Sequence, residues 1–182
     1  MAINSTIFKI DLQIADLDRH YYQDHALTIA RHPSETDERM MIRVLAFACH
    51  ASEQLSFGKG LSTEDEPDLW AKTLTDDIDI WIDLGLPEEK RVRRACGRSR
   101  QVIIYTYGGH VADNWWHHNQ KHLKQLDKVT VYQVPEEASK ALADLVQRTM
   151  QLQCTIQDGE IMFTNGEQSV QLVVEQLKPA RS

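Results

Sequence analysis

The sequence predicts a mixed α+β fold, and three stretches predict it. Residues 78–84 alternate, with Ile78, Ile80, Ile82 and Leu84 on one side and Asp79, Trp81 and Asp83 on the other. That period of two marks a strand. Gly85 breaks it, Pro87 opens a helix, and after Gly97 the run QVIIYTY reads as a strand buried on both faces. Strand, helix and strand in thirty-odd residues form a βαβ crossover with parallel strands. At the other end of the chain, Asp158–Gly159 and Asn165–Gly166 separate short alternating runs, the pattern of consecutive β-hairpins.

The remaining elements follow in chain order. Residues 5–14 alternate as an opening strand, with Phe8, Ile10, Leu12 and Ile14 on its apolar face. A helix is expected over Arg19–Arg31, capped by Asp16 or Asp18, with Tyr22, Ala26 and Ile29 or Ala30 buried and Pro33 ending it. Ser34 and Asp37 resemble a capping box for a second helix over roughly 35–51, apolar almost all round and therefore interior. Residues 53–62 read as a short strand and turn broken by Gly58 and Gly60, followed by the acidic loop TEDEPDLW. Leu69 and Trp70 then re-enter the core as a strand hairpinned to 78–84. Further on, a helix is expected over Val111–Gln125, a strand over Lys128–Val134 and a helix from Pro135 onward. The last three strands are expected at about 151–157, 160–164 and 168–176.

The 182 residues suit one domain, 1–182, with a proper core. No apolar run approaches the ~20 residues needed to cross a bilayer. The N-terminus shows no signal-peptide pattern, so a cytoplasmic location is the expectation. Cys49, Cys96 and Cys154 are widely spaced with no CxxC pair, which favours buried thiols over disulfides or zinc ligands. The net charge of −7 argues against a global nucleic-acid footprint. Only the 90–100 segment, with Lys90, Arg91, Arg93, Arg94, Arg98 and Arg100, offers a dense basic patch; it reads either as a phosphate-binding face or as a solvated helix face complementing its dipole.

Several acids and histidines draw notice. Asp79 and Asp83 lie on a strand that should be mostly covered. Either that face meets water, or the acids need a counter-charge or a metal. Glu38 lies on the stripe of Ile42, Leu45 and Cys49 at helical steps, unless it simply helps Glu35 and Asp37 complement the helix start. His118 and His122, one turn apart, have metal-ligand spacing but no evident third ligand. Trp115 and Trp116 suit either base stacking or core packing.

The segments ADLDRHYY, IARHPSETDERMMIRVLAFA, LSFGKGLSTEDEPDLW, WIDLGLPEEKRVRRAC and TIQDG resemble the YaeQ family, and the resemblance runs over essentially the whole chain. It implies a compact variant of the PD-(D/E)XK nuclease fold, a three-layer αβα restriction-endonuclease-like arrangement with a central mixed sheet. In the wider nuclease superfamily a helix Glu, a strand Asp and a (D/E)-x-K strand motif bind Mg²⁺ and activate water. The helix acid matches Glu38. Asp83-Leu84-Gly85 matches the strand motif with glycine in place of lysine, a place Lys90 or Arg91 would fill from the next helix. Pro67-Asp68 fits the "PD" literally, while Asp65 or Glu66 fits the acidic block, and Asp79 is a further ligand candidate on the strand. The resemblance therefore implies a Mg²⁺-dependent nuclease-like phosphodiesterase, with Mn²⁺ as a substitute. Its metal would sit on Glu38, Asp65 or Glu66, Asp79 and Asp83, with Lys90 or Arg91 near the phosphate of a nucleic acid bound along 90–100. The alternative is a non-enzymatic binding or interaction protein that keeps the fold with an altered site, with a protein as partner. The fold alone decides neither.

Overall fold

A computed structural model describes residues 4–181. The class is mixed α+β, as the sequence predicts, with four α-helices and eleven strands among the described residues, and the strands form two sheets, one of five and one of six. The chain divides into two compact units. One comprises the chain up to Cys49 with Glu137–Val174, the other His50–Glu136 with the chain from Glu175 onward.

The first unit holds the five-stranded sheet, in the order β10-β9-β8-β1-β2. β1 (Thr6–Asp16) buries the expected Phe8, Ile10, Leu12 and Ile14, none more than 3% exposed. Each such side chain contributes about 1.5–3 kcal/mol relative to leaving it in water. Its neighbours are β2 (Tyr21–Arg31), antiparallel, and β8 (Thr149–Gln157), parallel. The expected helix over Arg19–Arg31 is therefore a strand. Tyr22 and Ala26, expected to be buried, are exposed; of the alternatives Ile29 and Ala30 it is Ile29 that is buried, and Tyr21, His25 and Leu27 on the same face are half-buried. An uninterrupted antiparallel ladder from Thr6↔Arg31 to Asp16↔Tyr21 supplies the backbone partners that a lone polar helix would have had to find in itself. Asp16 caps the turn rather than a helix, accepting from the amides of Asp18 and Arg19.

α1 (Asp37–His50) is interior over Met40–Ala48, as expected. Its cap differs from the expected capping box: Thr36 Oγ1 accepts from the Arg39 amide, whereas Ser34 bonds the His32 ring. Phe47 meets His25 of β2 edge-on at 5.1 Å. α4 (Glu136–Ala143) precedes β8, which pairs with β9 (Glu160–Thr164) and through it with β10 (Ser169–Val173). The Asp158–Gly159 hairpin is present with φ of 52° and 77°, the double positive φ that Asx-Gly turns serve. Burial pushes the Cys154 thiol far above its usual range, with Cys49 and Asp16 adding to the shift. A thiol reagent is accordingly expected to modify Cys154 only at the rate of unfolding, after half-buried Cys49 and Cys96. Mass-resolved labelling against denaturant checks this.

The second unit carries the six-stranded sheet β11-β7-β6-β5-β4-β3. β3 (Leu55–Phe57), β4 (Leu69–Lys72) and β5 (Ile78–Leu84) form an antiparallel run. α2 (Glu89–Arg98) then leads to β6 (Ser99–Thr106), and α3 (His110–Leu123) to β7 (Val129–Gln133), with β5, β6 and β7 parallel as the crossover predicts. α2 begins at Glu89, so Pro87 lies just outside it. Trp81, Val92, Ala95, Val102, Ile104, Leu123, Val129 and Val131 form one buried cluster, with Trp115 and Trp116 packed against it. The expected final strand over 168–176 is broken at Val174. Glu175–Lys178 forms a separate strand, β11, antiparallel to β7. Lys178 is nearly buried there, its ammonium donating to the carbonyls of Val129 and Pro179.

Candidate functional site

The C-terminal end of the β5 face that carries Asp83 does not meet water. Asp83 is 2% exposed, and the adjacent Trp81 on that face packs in the cluster with Val92 and Ala95 of α2. A carboxylate so placed needs a counter-charge, and α2 supplies it from its first turn. Arg91 Nε donates to Asp83 Oδ2 at 2.9 Å and Nη2 to Oδ1 at 3.0 Å, a two-pronged pair. The same guanidinium donates to the backbone carbonyls of Glu64 (3.1 Å) and Glu66 (3.2 Å). Burial pulls the Arg91 pKa down, but the hydrogen bonds and charge of Asp83, helped by Asp68 and Glu64, outweigh it and hold the group above its ordinary value.

Asp68, the acid of Pro67-Asp68, is 3% exposed and opens the β4 side of the hairpin. Its Oδ2 accepts from the Leu84 amide at 3.0 Å, tying it to the residue after Asp83. Asp68, at the entry to β4, and Asp83 of β5 therefore lie side by side where both charges act on one guanidinium. The acidic loop is drawn onto α2 by the same means: Asp65 Oδ1 pairs with Arg94 at 3.2 Å, and the Asp65 carbonyl accepts from Arg98 at 2.8 Å. The side chain of Glu66 turns the other way and accepts from the Lys59 amide at 2.8 Å.

Asp83, Arg91 and the acidic loop thus come together, with Asp65 held through α2. Asp79, at the start of β5, is 44% exposed and lies 3.8 Å from Arg100. Lys90 is exposed on α2. Glu38 belongs to the other compact unit, half-buried on α1. The buried acid of that helix start is Glu35, which pairs with Arg39 (2.8 Å) and Arg43. Its signal in the sequence is the four-residue spacing of Glu35, Arg39 and Arg43. His118 is exposed; His122 faces Glu89 at 3.7 Å. The Trp115 indole N–H donates to the Pro87 carbonyl, so its hydrogen-bonding edge is engaged in the structure.

Magnesium takes six oxygens in a near-ideal octahedron. Both oxygens of Asp83 and the neighbouring Glu64 and Glu66 carbonyls are engaged by Arg91, and Asp68 Oδ2 by a backbone amide. Among the described residues, no group of three His, Cys, Asp or Glu side chains is arranged to hold a metal ion. As arranged, with the Arg91 guanidinium and the Leu84 amide on them, these donors do not fit a divalent cation.

The fold and this site define a mixed α+β protein with a pair of buried strand carboxylates faced by an arginine. The chain belongs to the YaeQ family: the family model described as YaeQ protein matches residues 1–174. The relative called "Uncharacterized protein YaeQ" from Escherichia coli (strain K12) is 41% identical over 94% of this chain and 95% of its own length. That of Salmonella typhi is 42% identical over the same shares. The crystal structure of YaeQ protein from Xanthomonas axonopodis pv. citri matches with a TM-score of 0.94 at 45% identity, covering 97% of this chain and 99% of the other. The YaeQ protein of Pseudomonas syringae matches with a TM-score of 0.92 at 35% identity, covering 98% of each chain. Among the described residues, no helix is long and apolar enough to cross a membrane.

Proposed function

We propose that this chain is a nucleic-acid-binding protein on a nuclease-like frame, in which Arg91 stands in the place of the catalytic cation. The observation that supports the reading is the two-pronged Arg91–Asp83 pair, reinforced by two loop carbonyls. Arginine's fixed fork suits anion recognition, while its permanent charge makes it a poor proton acceptor. Around it, α2 exposes Lys90, Arg93, Arg94 and Arg98. The pairs that Arg93 and Arg94 make, each with more than half of the arginine side chain exposed, are weak enough to exchange for phosphate.

A second reading, a Mg²⁺-dependent nuclease-like phosphodiesterase, is favoured by the proximity of Asp68 and Asp83 on adjacent strands. In that case Arg91 would have to leave Asp83 for a substrate phosphate before a cation could enter.

Calorimetric titration of Mg²⁺ and Mn²⁺ into wild type, Asp83→Ala and Arg91→Ala separates the two. The first reading expects no saturable site in wild type. Saturable wild-type binding that Asp83→Ala abolishes would transfer the assignment to the phosphodiesterase. In parallel, oligonucleotide binding measured against salt is expected to lose about 0.7–0.9 of log–log slope for Lys90→Ala. An unchanged slope would remove α2 from the interface.

A further inference from the structure

The two sheets end in four edge strands. β3, β11 and β10 are short, at 3, 4 and 5 residues, whereas β2 runs for 11. Short edges are one of the ways proteins avoid unwanted pairing. β2 has no proline, no lysine and no bulge anywhere in its register with β1, and among the residues whose backbone faces outward Asp24 is the one charge.

The hydrogen-bond pattern fixes which groups β2 turns outward. On β1, the Lys9 amide donates towards β8, to the Arg148 carbonyl (3.0 Å), and Leu17 does the same to Ile156 (2.8 Å). By strand alternation, Asp11, Gln13 and Ala15 also direct their backbone towards β8. Their partners in the β1–β2 register are Ala26, Asp24 and Tyr22, with Thr28 opposite Lys9. Those pairs exchange no ladder bonds, so β2 presents the N–H and C=O of Tyr22, Asp24, Ala26 and Thr28 along its outer edge. Ala30 confirms the phase, since its carbonyl accepts instead from Arg43. All five side chains are exposed.

We propose that this edge pairs with the β2 edge of a second copy of the chain, antiparallel about a two-fold axis at Ala26, making a continuous ten-stranded sheet. The strand is self-complementary in that register. Ala26 meets Ala26, with no bulk at the axis. Asp24 of each copy lies opposite Thr28 of the other, a carboxylate facing a hydroxyl, and Tyr22 opposite Ala30. Every outward group from Asp24 to Thr28 then finds a backbone partner. An axis at Asp24 would set two carboxylates face to face, which is destabilising. An axis at Thr28 would run Asp24 beyond the end of the strand. Such an interface is isologous and closes at two copies. It stands independently of the reading proposed for Arg91.

Sedimentation velocity on the full chain tests the pairing. Wild type is expected to sediment at twice the 20.9 kDa chain mass. Thr28→Asp sets like charges opposite Asp24 on both sides of the axis and is expected to weaken the dimer by roughly tenfold or more. Ala26→Pro removes an outward N–H that no strand of its own sheet uses, and is expected to do the same. The double variant Asp24→Lys/Thr28→Asp restores opposite charges and is expected to restore the dimer. Circular dichroism confirms that each variant is folded. A monomeric wild type up to roughly 1 mM, the weak end of specific association, overturns the proposal. So does a dimer that Thr28→Asp and Ala26→Pro leave intact, and weakening that the double variant does not reverse overturns the Ala26 register.

Discussion

Arg91→Ala is expected to lower the free energy of unfolding by about 3 kcal/mol, among the larger effects of any substitution outside the core. The reason lies with the partner left behind. The Asp83 side chain is 3% exposed, so removing the guanidinium strands a carboxylate that water does not reach. The Arg91 side chain is 28% exposed, which keeps the loss at the lower end of the range for buried pairs. Removing both charges is expected to cost less than removing Arg91 alone, because an absent carboxylate needs no counter-ion. Urea denaturation of wild type, both single variants and the double variant measures the coupling. A loss below about 1 kcal/mol for Arg91→Ala would mean that Asp83 is hydrated after all, and would weaken the case for arginine as a resident cation.

Glu35→Ala is expected to cost a comparable amount, about 3–5 kcal/mol. Glu35 is 2% exposed in its side chain and accepts from Arg39 and Arg43, which are themselves 14% and 8% exposed. Its removal leaves two largely covered guanidinium groups without their shared carboxylate where β2 meets the start of α1. Glu38→Ala, three residues on but half-exposed, is expected to stay within about 0.5 kcal/mol. The contrast is useful because the two acids look alike in the sequence. If the two substitutions prove equally mild, the Glu35 network is a surface feature; if equally severe, Glu38 has a structural role that its exposure does not suggest.

Much of the frame was legible in the residues. The alternation in 78–84, the apolar run before Tyr107 and the hairpin dipeptides each specify an element by local stereochemistry, and each formed as read. The family resemblance, rather than the residues alone, offered Asp68, Asp65 or Glu66 for one acid and Lys90 or Arg91 for the basic group; of these, Asp68 and Arg91 are the side chains found beside Asp83 or its neighbour Leu84. Their actual relation was not legible. Period alone left open whether the Asp79–Asp83 face met water, and the answer differs along one strand: Asp79 is half-exposed while Asp83 is sealed by α2.

The sequence by itself determined the mixed α+β class, the parallel crossover and the positions of the turns, because periodicity and turn chemistry act within a few residues. Only the tertiary structure decided that Tyr21–Arg31 is a strand, since its ladder partner is β1 and its own apolar pattern is too sparse to choose. It also decided that the tail leaves one sheet at Val174 and joins the other. Above all it decided which carboxylates are buried. Burial depends on what packs over a residue, and the elements that cover Asp83 and pair with Glu35 are set by the register and packing of whole strands and helices.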